Sequence, residues 1–259
     1  MRTVFWGLFI PFLGTTLGAS CVFFMRRELN ETVQRVLMGF AAGVMTAASV
    51  WSLLIPSMDM SEKMQRFAFF PALTGFACGV FFLFILDKTI PHIHAAARNP
   101  EGPNTKLSRT TMLIFAVTLH NIPEGMAVGV LFSGMVSGNA QISAAAAFAL
   151  SIGIAVQNFP EGAIISMPLR TEGNGRLKSF WYGVLSGIVE PAAAVLTILL
   201  TTVIAGVLPY FLSFAAGAMI YVVVEELIPE AARDEKTDAC TIGFAAGFAL
   251  MMVLDTVLA

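Results

Sequence analysis

Apolar and polar positions in this chain alternate on the scale of whole helices. Long apolar runs, each of about the 20 residues that cross a bilayer core, are joined by short polar connections. The runs lie near Val4–Phe24, Val36–Ser57, Phe67–Leu86, Thr111–Val136, Ile142–Leu169, Phe180–Val203, Leu208–Ile228 and Ala239–Leu258. This pattern predicts an all-α polytopic membrane protein with eight transmembrane helices. The fourth and fifth runs are longer than a straight crossing needs, which fits kinked or tilted helices. The first run follows Arg2 but is longer than the signal-peptide core of about 7–15 residues. No Ala-x-Ala site follows it, so it reads as the first span.

The spans repeat. Phe40-Ala41-Ala42-Gly43-Val44-Met45 in the second returns as Phe214-Ala215-Ala216-Gly217-Ala218-Met219 in the seventh. Gly75-Phe76-Ala77-Cys78-Gly79, with Leu86-Asp87 beyond it, returns as Gly243-Phe244-Ala245-Ala246-Gly247 with Leu254-Asp255. Span n matches span n+5, and five is odd, so matched spans cross in opposite directions. The expected architecture is an inverted 3+2+3 repeat: spans 1–3 (about 4–86) related to spans 6–8 (about 180–258), with spans 4 and 5 (about 111–169) between. All of it reads as one transmembrane domain over residues 1–259.

Composition and charge narrow the picture. The chain is 57% hydrophobic and 12% charged, against about 25% charged in soluble domains. No connection is long enough for a soluble domain, and no basic run suits nucleic acid. The connections after spans 1, 3, 5 and 7 carry twelve basic residues: Arg26, Arg27, Arg35, Lys88, Arg98, Lys106, Arg109, Arg170, Arg176, Lys178, Arg233 and Lys236. The other side carries three, Arg2, Lys63 and Arg66. By the positive-inside rule both termini are expected on the periplasmic or extracellular side. Cys21, Cys78 and Cys240 are scattered, which suits small packing residues better than a disulfide or thiolate cluster.

The candidate chemistry lies in spans 4 to 6. His120-Asn121-Ile122-Pro123-Glu124-Gly125 is echoed 37 residues later by Gln157-Asn158-Phe159-Pro160-Glu161-Gly162. In helical geometry His120 and Glu124 share a face with Asn121 beside them, and Gln157, Asn158 and Glu161 repeat the arrangement. Each proline frees a carbonyl four residues back, at Leu119 and Val156. A third acid, Glu190, stands mid-span before Pro191. Ionisable groups at membrane depth mark function by default, and broken helices at the midplane build cation sites in many transporters. Imidazole, carboxylate and carboxamide oxygen together suit a borderline divalent cation such as Zn²⁺, Cd²⁺ or Fe²⁺. The three carboxylates leave room for two metal ions, or for one with a proton.

No His-Glu-x-x-His, Gly-x-Ser-x-Gly or Walker sequence is present, so an enzyme is not expected. The alternatives left open are a metal-dependent intramembrane enzyme, with Glu124 or Glu161 as base, and an exporter or channel using the same ligands.

At His120–Gly125, Gln157–Gly162 and Glu190-Pro191 the chain resembles the ZIP (Zrt/Irt-like) family of divalent-metal transporters. Pro91-His92-Ile93-His94 resembles its GufA-like branch. The resemblance implies import of Zn²⁺, with Cd²⁺, Fe²⁺ and Mn²⁺ as further candidates, toward the cytoplasm by alternating access. It also implies a homodimer and an elevator-like shift of spans 1, 4, 5 and 6 against spans 2, 3, 7 and 8. One metal position would use His120, Glu124, Gln157 and Glu161, with Met45 approaching; a second would use Asn121, Asn158, Glu161 and Glu190. Asn158 departs from the aspartate of some family members, so the second position is expected to be weaker. Asp59 at the entrance, and Asp87, His92, His94 and Glu226 on the cytoplasmic side, are the pathway residues the resemblance suggests. The expected location is a bacterial inner membrane.

Overall fold

The computed structural model describes residues 2–24, 30–93, 100–171, 173–203, 206–232 and 238–258. Eight helices among them are long and apolar enough to cross a membrane. They are α1 (Arg2–Phe24), α2 (Glu31–Asp59), α3 (Phe69–Thr89), α4 (Arg109–Val136), α5 (Ala144–Arg170), α6 (Arg176–Thr201), α7 (Leu208–Ala231) and α8 (Ala239–Leu258). Each overlaps one of the apolar runs. Asn30 caps α2 by accepting from the Thr32 N–H at 2.8 Å, and Ser108 caps α4 by accepting from the Thr111 N–H at 3.2 Å. Both satisfy donors that the first turn leaves over.

Prolines act differently in different helices. α4 and α5 run as continuous helix through Pro123 and Pro160, whereas α6 is interrupted at Ile188, between Gly187 and Val189. Pro191 has no N–H to offer the Gly187 carbonyl, so the chain loosens one turn before it. In α2 and α7 the helix widens into a π turn, at Ser49–Leu54 and Val223–Leu227. There the N–H of Ile55 reaches back to the Val50 carbonyl and that of Ile228 to the Val223 carbonyl. Pro56 and Pro229 follow directly, and a wider turn absorbs the missing donor.

The closest pairs are α2 with α8, α3 with α7, α1 with α5, and α4 with α6. Glycine makes each approach possible. A Cβ at Gly43 would sit on the Phe244 carbonyl, and one at Gly247 on the Phe40 carbonyl. The other pair does the same: Gly217 faces the Phe76 carbonyl and Gly79 the Phe214 carbonyl. These residues occupy matched places in the repeated sequence blocks, so these two glycine contacts of α2 with α8 have counterparts between α7 and α3. Backbones this close are held by dispersion and by the lipid-excluded small-residue face. The core lies among Ala41, Met45, Ala127, Leu131, Ala216 and Met219, all buried. Phe70, Leu73 and Phe81 of α3 and Ile242 and Val253 of α8 are exposed apolar side chains, suited to lipid or to another membrane surface.

Leucine at Gly43 or Gly247 is expected to destabilise the protein by about 1–3 kcal/mol through overpacking. Alanine at Gly175, where a Cβ would meet nothing within 4 Å, is expected to stay within about 0.5 kcal/mol of the parent. Unfolding by denaturing detergent, followed by circular dichroism, measures both.

Candidate metal centre

Each glutamate of the two motifs is followed by the glycine against which a neighbouring helix packs. A Cβ at Gly125 would sit on the Glu190 carbonyl, and one at Gly162 on the Thr15 carbonyl. The glycines therefore let α6 approach α4 and α1 approach α5 beside the acids. Pro-Glu-Gly is thus a packing device as well as a source of ligands.

The result is a closed cluster. Glu124, Glu161 and Glu190 are 0%, 7% and 1% exposed. Gln157 Nε2 donates to Glu124 Oε1 at 2.6 Å, which ties α5 to α4. Asn121 Nδ2 donates to the Ser186 carbonyl at 3.0 Å, which ties α4 to α6. The hydroxyl of Thr15 donates to Glu190 Oε1 at 2.9 Å, which ties α1 to α6. Asn158 stands next to both Glu124 and Glu190.

Both carboxamides spend N–H groups on neighbouring oxygens, which turns their own oxygens into the cluster. Buried there without a hydrogen-bond partner among the described residues are Asn121 Oδ1, Gln157 Oε1, Glu124 Oε2, Glu190 Oε2 and both carboxyl oxygens of Glu161. These six acceptors stand beside Asn158, whose Oδ1 and Nδ2 are also buried without a hydrogen-bond partner among the described residues. Orphaned buried acceptors are costly, and a cation bound among them would relieve that cost. All-oxygen ligands with one imidazole nearby suit a divalent metal ion.

His120 and Glu226 bring a second helix bundle to the edge of this cluster. His120 Nε2 is in direct contact with Glu226 Oε2, so α7 touches α4 at the first residue of the motif. The sequence had suggested Glu226 for the cytoplasmic route; in the fold it is buried on His120. Met45 is fully buried in the apolar core. Asp59 lies exposed in the last turn of α2, apart from the cluster. His94 lies outside the described residues.

Asp87 and His92 do meet. His92 Nε2 is 3.2 Å from Asp87 Oδ1, and its Nδ1 bonds to the Ile90 carbonyl at 2.9 Å. Lys88 Nζ is 3.2 Å from Asp87 Oδ2. Glu101, which the sequence did not suggest, joins them: one ligand atom from each of Asp87, His92 and Glu101 lies within 4.8 Å of the others. An isolated antiparallel bridge between His92 and Glu101 holds them, with backbone bonds of 3.2 and 2.8 Å. Nothing in local spacing signals a partner nine residues away across a connection. Thr15 was missed for the same reason, since its partner is 175 residues distant.

A cavity of about 90 Å³ adjoins the cluster. Met38, Leu113, His120, Glu161 and Glu230 line it, and it reaches Arg109 in the first turn of α4 and Ile93 beside His92. The cluster therefore communicates with the end of the bundle where α3 finishes and α4 begins.

Comparison with known proteins places this architecture. The family described as ZIP Zinc transporter matches residues 105–255. Zinc transporter ZIP11 of Homo sapiens is 34% identical, over 96% of this chain and 95% of its own length. Zinc transporter ZIPB of Bordetella bronchiseptica is 36% identical, over 95% of this chain and 78% of its own length. Zinc transporter GufA of Myxococcus xanthus is 33% identical, over 93% of both. Full-length similarity of this kind, together with eight membrane-crossing helices, shows that the chain belongs to the ZIP zinc transporter family, a family of membrane transporters rather than of enzymes.

Proposed function

We propose that this protein carries Zn²⁺ across a membrane toward the cytoplasm, with the cluster on α4, α5 and α6 as the transport site. The observation that carries this reading is the set of six orphaned acceptor oxygens buried among Asn121, Glu124, Gln157, Glu161 and Glu190. His120, Glu124, Gln157 and Glu161 form the first position for the cargo. Asn121, Asn158, Glu161 and Glu190 form the second, so Glu161 serves both. The zinc transporters to which the chain is similar support Zn²⁺ as substrate. Cd²⁺, Fe²⁺ and Mn²⁺ fit the same donor chemistry.

Alternating access is supported by the matched pairing of α2 with α8 and α7 with α3. α1, α4, α5 and α6 form a second set of mutually packed helices, and the proposed movement is of one set against the other. The cavity from His120 and Glu161 to Arg109 is the proposed way out. Arg109 of the basic connections lines its mouth, which supports a cytoplasmic mouth with both termini on the opposite side. Asp87 and His92, with Glu101, stand beside that mouth as acceptors for departing metal. The exposed apolar faces of α3 and α8 are compatible with lipid or with a homodimer. A bacterial inner membrane is the proposed location.

Uptake of radioactive zinc into proteoliposomes tests the reading. The parent protein is expected to accumulate zinc, and Glu161→Ala and His120→Ala are each expected to abolish uptake while remaining folded and inserted. Zinc binding by the parent without any flux would overturn the transport reading and favour a metal-dependent enzyme or sensor.

Asn158→Asp adds a negative oxygen beside Glu124 and Glu190. It is expected to tighten the second metal position by about tenfold, the order of one charge-assisted contact. Metal-to-protein stoichiometry after equilibrium dialysis measures it. In a cysteine-free background, Ile164→Cys, which lines the cavity, is expected to react with a membrane-impermeant thiol reagent from the cytoplasmic side only. Ala127→Cys, fully buried, is expected to stay protected from both.

A further inference from the structure

Hydroxyls in membrane helices ordinarily return to the carbonyl one turn back. Here Thr46 bonds to Ala42, Thr118 to Ile114 and Thr197 to Ala193, at 2.7, 2.7 and 2.8 Å. Thr15 does not. It is fully buried on α1, and its Oγ1 instead donates at 2.9 Å to Glu190 Oε1 on α6.

The site closes around this threonine. Its carbonyl packs on Gly162, next to Glu161, and its side chain packs on Gly187, where a Cβ would lie 2.9 Å from both Thr15 Cβ and Cγ2. There is no space for the side chain to turn away. A hydroxyl has one proton to give and an ionised carboxylate can only accept. The bond therefore fixes which oxygen of Glu190 faces Thr15 and which faces the cluster. Oε1 is held; Oε2 is the one left without a hydrogen-bond partner.

We infer that Thr15 is a positioning residue that sets cation specificity at the second metal position, by restricting Glu190 to one oxygen for the cargo. The inference rests on the transport site proposed above and concerns a residue outside both motifs. A single carboxylate oxygen suits Zn²⁺, which takes about four ligands at about 2.0–2.2 Å from carboxylate oxygen. Larger divalent cations take more oxygens and accept both oxygens of one carboxylate. Removing the hydroxyl releases Oε1, so Glu190 can present both oxygens and the preference moves toward the larger ion.

The test is competitive binding of Zn²⁺ and Cd²⁺ to the purified protein by equilibrium dialysis, run beside uptake of both ions in proteoliposomes. Thr15→Val keeps the shape and removes the hydroxyl. It is expected to move the bound Cd²⁺ to Zn²⁺ ratio toward Cd²⁺ by about tenfold, the factor associated with losing one hydrogen bond to a charged group. Thr15→Ala, which adds no bulk, is expected to give the same shift. Thr15→Ser restores the donor and is expected to restore the parental ratio. In a Glu190→Gln background, Thr15→Val is expected to change nothing further, because the carboxylate it positions is gone.

An unchanged ratio in Thr15→Val and Thr15→Ala, or an equal loss of both ions, would overturn the inference and leave Thr15 as a packing residue. The predicted shift in binding with no flux of either ion in the parent would sink the transport reading while the positioning role stood. Absence of binding by the parent would remove both.

Discussion

Three glutamates held together inside an apolar bundle are the constraint on which the rest of this structure depends. Removing an ionised carboxylate from water costs several kcal/mol even after the protein relaxes, and like charges add to that cost. Hydrogen bonds satisfy only part of it here. Gln157 satisfies one oxygen of Glu124 and Thr15 one oxygen of Glu190, while Glu161 has neither oxygen satisfied. Such a cluster is poor as a structural core and suitable as a place where a cation comes and goes. Too complete a set of internal bonds would remove the reason for cargo to bind.

The backbone is shaped around the same requirement. Glutamate must reach the centre of the bundle from two neighbouring helices, and third and fourth helices must close over it. Glycine after each glutamate lets α6 and α1 come within backbone contact. At Glu190 the arrangement is looser, because Pro191 leaves the Gly187 carbonyl without its helical donor and α6 is interrupted at Ile188. That interruption lies between Ser186, whose carbonyl binds Asn121, and Glu190 itself. One local break thus sets the placement of two groups of the cluster.

Around this centre, α2, α3, α7 and α8 pair through glycines that meet carbonyls in matched positions. Contacts of this type give broad, smooth faces, with little side-chain interlocking to resist sliding. The contact of His120 with Glu226 is different in kind, since it joins the site helices to α7 through polar side chains. Under the proposed transport cycle, exchange of His120 between cargo and Glu226 would give the two helix sets a chemical reason to respond to cargo.

Much of this was legible in the linear sequence. Eight apolar runs fixed the number of helices, because bilayer thickness sets the length of a span whatever surrounds it. The duplicated proline-glutamate motif marked Glu124 and Glu161, because charge at membrane depth has so few structural uses. Matched Gly-Phe-Ala blocks marked glycines at which helices meet backbone to backbone. Contacts between distant residues were not legible. Thr15 on Glu190, Glu226 on His120 and Glu101 beside Asp87 and His92 each join residues whose local sequence is ordinary for a helix or a connection. Helical periodicity reports which side chains share a face, and it carries no information about what the facing helix presents. The sequence by itself determined the spans, the acids and the breaks between them. Only the tertiary structure decided which oxygens of the cluster were satisfied and which were left without a partner, because that balance depends on side chains brought together by packing.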